Sequence, residues 1–263
     1  MNDNNQRPLI LVCNDDGIHA PGIRALIEIA SELGDVITVA PDSPQSGMGH
    51  AVTINDTLKI ADLSKEAGYP KYSCSGTPVD CVKIGVNKLA SRRPDLVISG
   101  INHGANSSIN VIYSGTMSAA VEGAIMGIPS VGFSLCDYAY DADFSPAASF
   151  IRQIIEDVLN NGLPQGVCLN VNIPKAGFGN IRGIRLCRQA TAFWDEELDE
   201  RVDPRGGRYF WLTGIFKVPD DGHDTDEFAL KNQYISVVPV RFDMTAYQAM
   251  NELASRYEHI EER

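Results

Sequence analysis

No run in the 263-residue sequence approaches the roughly 18 apolar residues of a membrane-spanning helix. The longest quasi-apolar stretch, Ala119 to Leu135, is broken by Glu122, Gly127 and Pro129. Positive charge is scarce: 22 Lys and Arg stand against 34 Asp and Glu, a formal net charge of −12. Proteins that hold duplex nucleic acid by their overall field concentrate Lys and Arg, so that partner class is excluded. A small anionic ligand is not, because a metal ion or a helix end can reverse the field locally. There is no CxxC pair. The six cysteines (Cys13, Cys74, Cys81, Cys136, Cys168, Cys187) are scattered, mostly in apolar runs, and read as buried reduced thiols. Internal repeats and low-complexity segments are missing too. The polar opening MNDNNQRP has no secretory apolar region, so the expectation is a cytoplasmic protein with no membrane partner.

What is present is an alternation of two periods over the first 173 residues. Leu9–Cys13 (LILVC) is a short continuous apolar run, as expected of a strand buried on both faces. Pro21–Leu33 has helical spacing through Ile23, Leu26, Ile27 and Ala30, with Pro21 in the first turn. Val36–Ala40 is a strand, and Val52–Ile60 reads as a further strand or hairpin arm. Thr77-Pro78-Val79-Asp80 starts a helix that runs to about Leu89. Asp95–Ser99 is a strand, Gly100–Tyr113 a long loop, and Thr116–Met126 a helix rich in small residues. Ser130–Leu135 is a strand, Ser145–Asn160 an amphipathic helix and Val167–Ile173 a strand. This repetition implies an α/β fold: a Rossmann-like, mostly parallel sheet with helices on both faces. Residues 1–175 are read as that catalytic core. Residues 176–263 are read as a β-rich C-terminal extension, with strands at Arg182–Ala190, Gly207–Thr213 and Tyr234–Arg241 and a terminal helix over about Thr245–Arg256. Long exposed strand pairs need a partner surface, so an oligomer is expected.

In such sheets ligands sit beyond the carboxyl ends of the strands. After the first strand comes Asn14-Asp15-Asp16-Gly17; taken alone it reads as a solvated Asx turn. After the second comes the Ser46-Gly47 loop (Pro41 to His50), which alone reads as a flexible connector. After Asp95–Ser99 comes Gly100-Ile101-Asn102-His103-Gly104-Ala105-Asn106, whose Asn residues alone form turns. Tyr113-Ser114-Gly115-Thr116 opens a helix, reading equally as an N-cap or an anion site. Their joint placement decides, because three separate strand ends carry oxygen ligands or anion donors on one edge. The set Asp15, Asp16, Ser46 and Asn102 is all oxygen, which suits Mg²⁺, Mn²⁺ or Ca²⁺ rather than Zn²⁺ or Cu²⁺.

These residues resemble the SurE family of divalent-metal-dependent nucleotidases, nearly end to end. The match includes ILVCNDDGIHAPGI (10–23), VAPDSPQSGMGHAVTI (39–54), SGTPVDCVKIG (75–85), DLVISGINHGAN (95–106), IYSGTMSAAVEGA (112–124) and TDEFALKNQYISVVPV (225–240). The resemblance implies a phosphohydrolase of nucleoside 5′-monophosphates, with 3′-monophosphates and short polyphosphate as further substrates. It implies one Mg²⁺ or Mn²⁺ per subunit at Asp15, Asp16, Ser46 and Asn102, with Ca²⁺ as a non-native occupant. Asn14, Gly47, Asn106, Ser114, Gly115 and Thr116 would line the phosphate and substrate pocket. The C-terminal extension would be exchanged between subunits of a homodimer or homotetramer.

The expected chemistry is attack of metal-activated water on the phosphoryl group, with Asp15 or Asp16 orienting the water. An aspartyl-phosphate route is the competitor. Rival functions for the same loops are a nucleotide-sensing module and a nucleotide-sugar transferase. Weaker candidates are His223-Asp224-Thr225-Asp226 as a second metal site, His19 and His50 as acids for the leaving group, and Tyr113, Phe193 and Trp194 as base-stacking residues. Each has a plainer reading as a turn, a polar loop residue, or a core or subunit contact.

Overall fold

The computed structural model describes residues 6–139, 141–175 and 180–257. Its first strand, β1 (Leu9–Cys13), is buried throughout because both faces are covered. Ile10 and Val12 join one core with α1 (Pro21–Leu33), while Leu9, Leu11 and Cys13 join another on the opposite face. The chain continues through β2 (Asp35–Pro41), β3 (Ile60–Asp62), α2 (Ser64–Ala67) and β4 (Lys71–Cys74). Then come α3 (Pro78–Ile84), prolonged by a π-turn over Gly85–Leu89, and β5 (Leu96–His103). A 3-10 turn at Ser108–Ile112 precedes α4 (Gly115–Ile125), β6 (Ser130–Leu135), α5 (Ala148–Asn161) and β7 (Val167–Ile173). Helices α1 and α5 pack together on one face, and α3 and α4 on the other.

The remaining elements are β8 (Ile184–Leu186), β9 (Phe193–Val202), β10 (Arg208–Lys217), α6 (Asp226–Lys231), β11 (Ile235–Arg241) and α7 (Tyr247–Tyr257). The nine-stranded sheet has the order β3-β4-β2-β1-β5-β6-β7-β11-β8. From β4 to β7 every pairing is parallel. β3 runs antiparallel to β4, and β11 antiparallel to β7. The α/β class and the mostly parallel sheet follow the sequence expectation. β8 and β11 complete the main sheet, whereas β9 and β10 pair only with each other. β1 lies between β2 and β5, so the strand order reverses there and leaves a crevice beyond the carboxyl ends of β1 and β5.

Several boundaries differ from the sequence reading. Val52–Ile60 is not a strand; only Ile60–Asp62 pairs, because the Thr53 N–H and hydroxyl are held by the Asp80 carboxylate instead of a neighbouring strand. The loop expected from Gly100 begins later: β5 runs on to His103 through a register irregularity between Ser99 and Asn102. Arg182–Ala190 shrinks to Ile184–Leu186. Gly207–Thr213 lengthens to Arg208–Lys217 and pairs with β9, which no apolar alternation announced because this hairpin is exposed on both faces.

Helix α1 docks tightly on the irregular end of β5. A Cβ at Gly22 would lie 1.9 Å from the Ile101 carbonyl oxygen, a backbone atom that cannot rotate away. Gly22→Ala is therefore expected to destabilise the protein by about 3 kcal/mol or more, the upper range for overpacking. A urea-denaturation midpoint within error of wild type would contradict this docking.

Candidate active site

The turn after β1 is braced by Asn14, which is fully buried. Its Nδ2 donates to the Gly17 carbonyl (3.0 Å), and its Oδ1 accepts the Gly17 N–H (3.2 Å). That side chain is thus committed to the turn. The brace sends Asp15 inward, where its Oδ1 accepts a hydrogen bond from the Thr116 hydroxyl. A Cβ on Gly115 would lie 2.7 Å from the Asp15 Cβ, so only glycine lets the start of α4 come this close. Asp16 is half-buried. Its Oδ2 accepts the His103 N–H at 3.4 Å, beside Asn102 at the end of β5.

Asn102 donates from Nδ2 to the Gly104 carbonyl (2.8 Å), which leaves Oδ1 as the free oxygen of its amide. The loop carrying Ser46 is tied in by its backbone. The Gln45 N–H donates to the Asp15 carbonyl (2.8 Å), and the Gly49 N–H to the Tyr113 carbonyl (3.2 Å). Ser46 and Gly47 themselves are exposed at its tip. Ser114 caps α4, its Oγ accepting the Met117 N–H at 3.0 Å. Among the described residues the Gly115 N–H has no acceptor, so the positive end of this helix is open to an anion.

The sequence-derived segments therefore meet at one place: the β1 turn, the end of β5, the Ser46 loop and the start of α4. Asn106 is held behind them. Its N–H donates to Asn172 Oδ1, its Nδ2 to Ser134 Oγ, and its carbonyl accepts from Asn170 Nδ2, each at 2.8 Å. Asn106 thus ties the loop after β5 to β6 and β7. Sequence reasoning missed Ser134, Asn170, Asn172, Asp80 and Asp226 as supports, since pairs 27 to 118 residues apart leave no local signal. Only Asp80 had one, as the acid three residues after the Thr77 cap.

Burial is the largest influence on Asp15 and raises its pKa from 3.8 to about 6, with Asp16 adding to the rise and the Thr116 hydrogen bond opposing it. Burial also raises Asp16, opposed by the charge and N–H of His103. Among the described residues no Lys or Arg forms an ion pair with either carboxylate. Nor does any cluster there combine three His, Cys, Asp or Glu around one point. One buried and one half-buried acid, without a Lys or Arg counter-charge among the described residues and next to the Asn102 amide at the end of β5, fit a hard divalent cation.

The weaker candidates resolve differently. Asp224 pairs with Arg188 at 3.0 Å, and buried Asp226 accepts the N–H groups of Ser108, Ala190 and Glu227. The 223–226 run is therefore the turn and cap of α6. His19 is exposed, and His50 is engaged with Glu122 at 3.0 Å. Tyr113 and Trp194 line an open cleft of about 520 Å³, with Trp194 Nε1 donating to Asn110 Oδ1 at 2.9 Å. Phe193 is exposed.

The model of the family described as survival protein SurE matches residues 10–196. A protein of Christiangramia forsetii named 5′-nucleotidase SurE is 61% identical over 254 residues, covering 96% of this chain and 98% of its own. One of the same name from Flavobacterium psychrophilum is 60% identical over 248 residues, covering 94% and 96%. The crystal structure of the SurE protein from Aquifex aeolicus superposes with a TM-score of 0.82 at 38% identity, covering 95% of this chain and 99% of that one.

The buried Asp15 carboxylate sets a stability cost that a neutral amide removes. Its folded pKa of about 6 lies above the unfolded value. In the metal-free protein this one group's contribution to stability is fully present below about pH 4 and is lost as pH rises through about 6, by about 3 kcal/mol in all. Asp15→Asn in EDTA is expected to be more stable than wild type at pH 7 and equal to it near pH 4, as read by thermal melts. Equal stability at both pH values would show that the carboxylate is not desolvated.

Proposed function

The chain belongs to the SurE family, and from that premise we propose that it is a 5′-nucleotidase, a phosphohydrolase that removes phosphate from nucleoside 5′-monophosphates with the help of one divalent metal ion. The observation that carries this reading is the pair of contacts Thr116–Asp15 and His103–Asp16, which set a buried and a half-buried carboxylate between a strand-end crevice and an open helix N-terminus. Asp15, Asp16, the Ser46 hydroxyl and the Asn102 amide oxygen would hold Mg²⁺ or Mn²⁺, with Ca²⁺ a non-native occupant. Such an ion, when bound, polarises the phosphoryl group and makes water more acidic.

The chain's own groups do the rest. The Gly115 N–H and the first turn of α4 receive phosphoryl oxygens as charge spreads over them in the transition state. The Thr116 hydroxyl fixes the rotamer of Asp15 by donating to Oδ1. Asp15 or Asp16 accepts a hydrogen bond from the attacking water and so aims it. The Asp15 carboxylate is boxed in by Thr116 on one oxygen and by the Gly115 backbone near the other, which favours attack by water over attack by the carboxylate. Trapping a phosphoryl group on Asp15 would reverse that order. These contacts address the phosphoryl group rather than the ester, so nucleoside 3′-monophosphates and short polyphosphate belong to the same reading.

An oligomer goes with this proposal. Trp211, Leu212 and Ile215 on β10 and Tyr247 and Met250 on α7 are large apolar side chains more than 50% exposed, a surface that suits a homodimer or homotetramer. A cytoplasmic location is supported by six free cysteines, and among the described residues no helix is long and apolar enough to cross a membrane.

Incubation with AMP and Mn²⁺ is expected to release inorganic phosphate, and EDTA or Asp16→Asn to reduce the rate at least about a hundredfold. Thr116→Val, which removes only the support of Asp15, is expected to weaken Mn²⁺ binding about 10- to 100-fold. Binding of AMP without release would indicate a sensing module, and release only from a sugar nucleotide with an acceptor a transferase. Light scattering is expected to give the mass of two or four chains, lowered by Trp211→Lys with Leu212→Lys. A monomeric wild type would sink the oligomer.

A further inference from the structure

Helix α4 carries one acid in a run of small and apolar residues, Glu122, and its side chain is only 3% exposed. Both of its oxygens are used. Oε2 receives His50 Nε2 at 3.0 Å, and Oε1 receives Lys83 Nζ of α3 at 2.5 Å. Burial pushes this carboxyl up, but the hydrogen bonds from His50 and Lys83 more than offset it and hold it ionised. An apolar residue at this position would pack at least as well, because a buried ion pair seldom outperforms one. What the carboxylate adds is a fixed point to which groups from two other segments are fastened.

His50 ends the loop that carries Ser46. The tip of that loop has little else to hold it. Ser46 and Met48 are exposed, and a Cβ at Gly47 would meet nothing within 4 Å. Among the described residues the loop's other ties to the site are the backbone bonds from Gln45 to Asp15 and from Gly49 to Tyr113. Glu122 lies eight residues beyond Ser114, about 12 Å along the same rigid helix whose start forms the phosphate cradle.

We propose that Glu122, held by Lys83 and engaged by His50, is a latch that fastens the 42–50 loop to α4, making His50 and Glu122 positioning residues that set Ser46 against Asp15 and Asp16. The proposal rests on the metal reading above for its consequence, though the latch itself concerns only the loop. A neutral imidazole serves, since Nε2 needs only to donate. Glutamine reaches the same point with its own Nε2, whereas alanine does not.

The test uses the full-length protein and three readouts: amide hydrogen exchange over residues 45–49 without metal, Mn²⁺ affinity by calorimetry, and AMP hydrolysis at saturating Mn²⁺. His50→Ala is expected to speed exchange at 45–49 and to weaken Mn²⁺ binding, each about tenfold. Its melting temperature and its kcat at saturating Mn²⁺ should stay near wild type. His50→Gln should recover most of both losses, and Glu122→Ala, which removes the acceptor, should resemble His50→Ala in exchange at 45–49. Unchanged exchange in His50→Ala overturns the latch, as does a Gln variant no better than Ala. A tenfold fall in kcat with Mn²⁺ affinity intact also overturns it, because His50 would then act on the reacting groups. Should wild type bind no Mn²⁺ while His50→Ala still loosens the loop, the metal reading fails and the latch stands as a loop fastening.

Discussion

Two neighbouring carboxylates, one buried and one half-buried at the rim of the sheet, are the constraint around which this molecule is organised. Asp15 is buried and Asp16 half-buried, and among the described residues neither a lysine nor an arginine pairs with them. Left alone, such a pair costs stability and takes up protons. What the fold supplies is weaker and directional: a hydroxyl from Thr116, an N–H from His103 and the positive end of α4. These groups orient the carboxylates without satisfying them. The site keeps an unmet demand for positive charge, which the divalent ion of the proposed function would answer.

Strand order explains why the supporting groups come from distant parts of the chain. β2 and β5 flank β1, so the crevice opens between the end of β1 and the end of β5. Helix α4 follows β5 and returns over the sheet with its start at the same rim. Gly22 and Gly115 are two of the places where backbone touches backbone or carboxylate in this convergence, and a methyl group fits at neither. Behind the rim, the Asn106–Ser134–Asn172–Asn170 network and the Asp80–Thr53 bonds hold the adjoining loops through buried amides and a carboxylate.

Much of this could be read in the sequence, for identifiable reasons. The core strands are continuous apolar runs and the helices have clean spacing and caps, so β1, α1, β2, α4, β6, α5 and β7 stand close to where periodicity puts them. The site segments were legible because an α/β sheet gathers its strand ends on one rim; knowing the strands was nearly enough. The supports were not legible, since Asp226 reaches back 118 residues to Ser108 and Asn172 reaches 66 to Asn106, and no local pattern encodes such a pair. β9 was invisible for another reason. A strand exposed on both faces has no buried side, so its sequence, FWDEELDERV, has no reason to alternate.

The overall charge of −12 sharpens the logic of the site. A phosphate monoester approaching a protein of this sign is repelled on average, and the two aspartates at the rim make the local repulsion worse. The open end of α4 carries only about half a unit of positive charge, too little to reverse two carboxylates. On the proposed function, a phosphoryl group would depend on a cation held first at Asp15 and Asp16: the same two acids that repel an anion would attract the ion that admits it. Ser46 fits this dependence. As the proposed ligand on an exposed loop, its hydroxyl would contribute a neutral oxygen when the loop is held in and add no further negative charge where an anion would enter.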